Sequence, residues 1–139
     1  MKTMGFFLLL IYVLNFNALA AFSPDAQVVL DLSVEDSRVW ETLLNNIENL
    51  RKDLGENTLI EVVTHGGGLS LLLVDANVQP ERMKKLAAAG VQFMACENTM
   101  RKRNLTQKDL SSFVGVVPSG VGELVKKQQA GWSYLKISY

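Results

Sequence analysis

The chain has 139 residues, room for one domain. Its 14 basic and 14 acidic residues balance, which excludes the clearly basic surface that nucleic-acid binding calls for. One cysteine, Cys96, excludes an internal disulfide framework, so a buried apolar core has to hold the fold.

The first residues read as a signal peptide. Lys2 gives a positive start, Phe6 to Leu14 an apolar stretch, and Ala18-Leu19-Ala20 a small-x-small cleavage pattern. The expected cut follows Ala20, with Ala21 as the neighbouring alternative. The rival reading is a retained membrane anchor. Against it, Asn15 and Asn17 interrupt a run that would need about 20 mostly apolar residues to span a bilayer. The expectation is therefore a signal peptide over 1–20 and one domain over 21–139, periplasmic or secreted, with no membrane association after cleavage. The mature chain would carry 13 basic and 14 acidic residues, a net charge of −1.

Ala26 to Leu32 is a short apolar run suited to a buried strand. Asp36 or Ser37 can cap the next helix, whose apolar positions Trp40, Leu43, Leu44, Ile47, Leu50 and Leu54 recur at helical spacing before Gly55. Thr58 to Thr64 is rich in β-branched residues and reads as a second strand. It runs into His65-Gly66-Gly67-Gly68. Leu69 to Val74 is apolar without a deciding period; a helix packed on the sheet is favoured over a strand.

Pro80 at a first helical position, with Glu81 beside it, opens a helix that Gly90 ends. Val91 to Ala95 is a third strand with Cys96 at its C-terminal tip, followed by a short helix over Glu97 to Asn104. Thr106 and Asp109 have capping-box spacing for a further helical turn. Phe113 to Val117 is a fourth strand halted by Pro118. Ser119 caps a helix to Ala130 that Gly131 stops, and Trp132 to Ile137 alternates as a last strand. Strands alternating with helices predict an α/β fold: a mainly parallel five-stranded sheet between helices, joined by right-handed crossovers.

Ligands of open α/β sheets gather at the carboxyl ends of the strands. Three segments fall there: His65 to Gly68, Cys96 to Thr99, and Pro118 to Gly120. Cys96 and His65 are the candidate catalytic residues; Gly66, Gly67, Asn98 and Thr99 are the candidate ligand-binding positions. A thiol at a strand tip before a helix start gains thiolate character from unpaired backbone N–H groups. The alternative for Cys96 is a small buried hydrophobe. His65, the sole histidine, is either an acid–base partner for the thiol or a local hydrogen-bonding residue. One Cys and one His fall short of a metal site. The glycine run lacks both the P-loop and the Gly-x-Gly-x-x-Gly spacing, and no Gly-x-Ser-x-Gly elbow occurs. No metal and no cofactor are expected.

Four segments in order, Glu61-Val62-Val63-Thr64-His65-Gly66, Gly90 to Met100, Val117 to Leu124 and Gln128 to Tyr134, together resemble the DsrE/DsrF-like (sulfur-relay) family over about residues 25–137. The resemblance implies a three-layer α/β/α sandwich that assembles into homo- or hetero-oligomers, trimers or hexamers. In the relay members a cysteine accepts sulfur as a persulfide and hands it on, and Cys96 matches the cysteine of a large uncharacterised branch. The export signal departs from the well-understood relay members, which are cytoplasmic.

The function expected first is an exported sulfur carrier or sulfurtransferase-like protein without turnover of its own. Cys96 would be the persulfide acceptor and His65 a helper, served by a sulfur donor or acceptor protein. The alternative is a non-catalytic oligomeric module that binds a small ligand or protein at the rim. A third reading is a thiol redox sensor pairing between chains through Cys96.

Overall fold

The structure is a computed structural model that describes residues 24–76 and 78–138. The signal-peptide reading of 1–20 lies outside the described residues. Among the described residues no helix is long and apolar enough to cross a membrane.

β1 (Gln27–Leu32) is followed by α1 (Ser37–Leu54), with Asp36 as its N-cap accepting from the Arg38 backbone N–H at 2.9 Å. β2 (Leu59–Thr64) leads directly into a 3-10 helix, Gly66–Leu72. The helical reading of Leu69 to Val74 therefore needs correction in type and start. The helix is of the tighter 3-10 kind and begins in the glycine run. Gly68 approaches β1 so closely that a Cβ there would strike the Leu32 carbonyl oxygen, which only glycine tolerates.

α2 (Pro80–Ala88), β3 (Gln92–Cys96), α3 (Glu97–Lys102), β4 (Val114–Val117), α4 (Gly120–Gln129) and β5 (Ser133–Ile137) complete the chain. The capping box at Thr106 and Asp109 forms as expected, around a single 3-10 turn. α3 stops at Lys102, two residues short of the expected Asn104.

All four strand pairings are parallel, in the order β4-β3-β2-β1-β5. From β1 to β4 the chain steps the same way across the sheet. Right-handed crossovers then place α1, the 3-10 helix, α2 and α3 on one face. There Leu43, Leu44, Ile47, Leu69, Leu72, Met83, Leu86 and Met100 pack on Leu30, Val62 and Phe93 in the main core. The last connection returns from the β4 edge to the opposite edge, so α4 alone lies across the other face. Its Leu124 joins Val29, Val63 and Trp132 in a small second cluster. The result is a three-layer α/β/α arrangement with unequal outer layers.

Candidate functional site

The parallel register brings the carboxyl ends of β1, β2 and β3 level with the N-terminus of α4. Thr64 pairs with Leu32 and with Ala95, so His65 and Cys96 follow at neighbouring points of one rim. Gly120, the first residue of α4, sits over both. A Cβ built on it would lie 3.1 Å from the Cβ of His65 and 3.3 Å from that of Cys96. The rim predicted from the alternation of elements thus joins Cys96, His65 and Gly120.

Cys96 ends β3 and is the N-cap of α3. The residue is 5% exposed. Burial pushes its pKa up, but hydrogen bonds outweigh burial: the backbone N–H groups of Gly120, Thr99 and Asn98 and the Thr99 hydroxyl all donate to the sulfur. The thiol is held below its ordinary value. This cradle is what a strand tip between two helix starts provides.

Thr99 belongs to the cradle twice, because its Oγ1 also accepts from the Gly66 N–H at 3.1 Å. Asn98 contributes its backbone to the sulfur, while its side-chain Oδ1 accepts from Arg101 on the exposed side of α3. Gly66 is tied to Thr99. Gly67 faces elsewhere, with a Cβ there meeting Glu35 of the loop between β1 and α1. Of the basic residues 101–103, Arg101 pairs with Glu97 at 3.2 Å in an exposed bridge.

His65 is oriented by a residue that the sequence reading passed over. Its Nε2 lies 2.9 Å from Oδ1 of Asp31, which is 4% exposed on β1. The other oxygen, Oδ2, accepts from the Tyr134 hydroxyl at 2.8 Å and from Lys136 Nζ at 3.3 Å. Tyr134 and Lys136 lie on β5, whose pairing with β1 sets Asp31 opposite Lys136. Burial, with the Asp31 carboxylate beside it, raises the Tyr134 pKa. A signal was present in the sequence: an acid inside the apolar run Val28 to Leu32 is costly to bury without partners.

A second buried acid lies on the same sheet face, nearer the middle of β2. Glu61 is 2% exposed and meets Lys127 Nζ at 2.5 Å; that ammonium also lies 4.1 Å from the centre of the Trp132 ring. Among the described residues Glu61 Oε1 has no hydrogen-bond partner. No group of three or more His, Cys, Asp and Glu side chains that could hold a metal ion occurs among the described residues.

A profile of the DsrE/DsrF-like family matches residues 37–137. Among solved structures, a protein of unknown function from Methanobacterium thermoautotrophicum is 36% identical, with a TM-score of 0.76. The match covers 80% of this chain and 98% of that one. A conserved protein of unknown function from Bacteroides thetaiotaomicron shares the fold at 17% identity and a TM-score of 0.62, over 87% of this chain and all of that one. No functionally curated protein matches. The chain belongs to the DsrE/DsrF-like family.

Proposed function

We propose that this member of the DsrE/DsrF-like family is a sulfur carrier, exported as a precursor, in which Cys96 accepts sulfur as a persulfide. The observation that carries the reading is the cradle around the thiol: three backbone N–H groups and the Thr99 hydroxyl hold the sulfur below its ordinary pKa. The thiolate is the form that attacks sulfane sulfur, and a persulfide placed there is reversible cargo. His65, across Gly120, is the acid–base helper. Assembly into a homo-oligomer is part of the proposal. The single-helix face supports it, with Val121 and Val125 of α4 and Tyr134 of β5 exposed.

Intact mass after incubation with polysulfide tests the reading. The wild type gains one sulfur atom, removable by mild reductant, and Cys96→Ser gains none while keeping its circular dichroism. Equal loading of the variant sinks the proposal.

A second reading has one observation in its favour: Cys96 is 5% exposed, as an inert core cysteine would be. In that reading the chain is a non-catalytic binding module. It predicts no mass gain and a Cys96 that resists alkylation until the protein unfolds.

A further inference from the structure

β1 carries a carboxylate where the rest of its buried run is aliphatic. Burying an ionised carboxyl is unfavourable unless its lone pairs are filled, and a hydrophobic side chain of similar size often serves stability as well. At Asp31 the lone pairs are filled by three side chains from two other segments: His65 after β2, and Tyr134 and Lys136 on β5. Packing alone does not require this cluster.

Its geometry has a chemical consequence for His65. An ionised carboxylate only accepts hydrogen bonds, so the nitrogen facing Asp31 Oδ1 at 2.9 Å carries the proton. A neutral imidazole protonated on Nε2 has its lone pair on Nδ1, the ring nitrogen nearer its own Cβ. That Cβ and the Cβ of Cys96 flank the same point over Gly120. The ionisable group against the ring is Asp31 from β1, with Tyr134 and Lys136 of β5 on the same carboxylate; Cys96 at the tip of β3 lies on the other side of the uncharged Gly120 of α4.

We propose that Asp31 is a positioning residue that holds His65 in the Nε2–H tautomer, leaving Nδ1 as proton acceptor for the Cys96 thiol. The inference deepens the sulfur-carrier reading and rests on it for the sulfur-transfer step. With a persulfide donor R–S–SH, Nδ1 takes the thiol proton as the Cys96 sulfur attacks the terminal sulfur of the donor. The new Cys96 S–S bond forms, the donor S–S bond breaks, and its electron pair leaves on R–S⁻. The imidazolium then returns the proton to that thiolate. The exchange of Cys96–SH and R–S–SH for Cys96–S–SH and R–SH is redox-neutral. The Asp31 carboxylate stabilises the transient imidazolium.

His65 is the only histidine in the chain, so the labelled full-length protein gives one pair of imidazole nitrogen signals. The expected spectrum shows a protonated Nε2 and an unprotonated Nδ1 in the neutral form; the Nδ1–H tautomer overturns the proposal. Asp31→Asn is expected to slow alkylation of Cys96 by iodoacetamide about tenfold at pH 7, the change that one unit in effective thiol pKa makes. At pH 10 the thiol ionises unaided and the rates converge. A rate profile identical to wild type overturns the proposal. If Asp31→Asn does not fold, the wild-type tautomer decides alone. Failure of the wild type to take up sulfur would strike the carrier reading, while the tautomer and alkylation results would still stand.

Discussion

Asp31 and Glu61 are buried acids on neighbouring strands and on the same face of the sheet, and the protein treats them differently. Asp31, at the rim, receives three side-chain donors on its two oxygens. Glu61 receives one ammonium on Oε2 and leaves Oε1 without a partner among the described residues. Burial pushes the Glu61 pKa up; Lys127 opposes this without overcoming it, and the nearby Glu123 adds to the rise. Burial of a carboxyl by itself therefore marks no site. What separates the two is connection: Asp31 reaches a histidine that shares Gly120 with the thiol, whereas Glu61 reaches a lysine that stacks on Trp132.

The comparison breaks most visibly on removing Asp31. Asp31→Ala leaves Tyr134, Lys136 and the His65 ring nitrogen without their shared acceptor, and the expected loss is about 3 kcal/mol, read from urea midpoints. A loss no greater than that of Glu61→Gln would erase the distinction. Next comes Thr99→Val, which deletes one donor to the sulfur and the acceptor of the Gly66 N–H. The Cys96 thiol should rise in pKa, with alkylation near neutrality slowed about tenfold and restored at high pH.

Gly120→Ala is expected to cost about 1 kcal/mol, since the His65 and Cys96 Cβ atoms must give way by a few tenths of an ångström. Its clearer effect is a several-fold change in Cys96 alkylation. Equal rates would show that the two side chains do not depend on that close approach.

The smallest effect belongs to Glu61→Gln, within about 1 kcal/mol of wild type at neutral pH, because a poorly solvated charge is removed while Lys127 keeps Glu123 at 4.0 Å and the Trp132 ring as partners. The sign of its pH dependence sharpens the contrast. An acid whose folded pKa is raised supports the folded state fully below its ordinary value. That support is lost as pH rises through the raised one. The wild type should thus lose stability relative to Glu61→Gln as pH climbs above the ordinary glutamate range. A flat difference between the two denaturation series would refute this.

Much of this molecule is local in origin and so is legible in the sequence. The Asp36 cap, Pro80 at a helix start, the Thr106–Asp109 box and the strand from Leu59 to Thr64 each depend on residues a few positions apart. Alternation of such elements is enough to predict a parallel sheet, because parallel neighbours need crossovers. The meeting of His65 and Cys96 at one rim follows from the same rule. Leu69 to Val74 reads as helical from its sequence, but the 3-10 form and the start do not: Gly68 must lie against the Leu32 carbonyl, and that long-range approach sets where the 3-10 helix begins.

The sequence by itself determined the elements, the fold class and the end of the sheet where a thiol and an imidazole would gather. Only the tertiary structure decided that β5 lies beside β1 and that α4 is alone on its face, because strand order depends on pairings across more than 100 residues. Asp31 owes its partners to that order: Tyr134 and Lys136 arrive with β5, and His65 with β2. No local pattern encodes a contact between residues 31 and 134. The physical reason is that side-chain position within a strand is local, whereas the neighbour it faces is set by the energetics of the whole sheet.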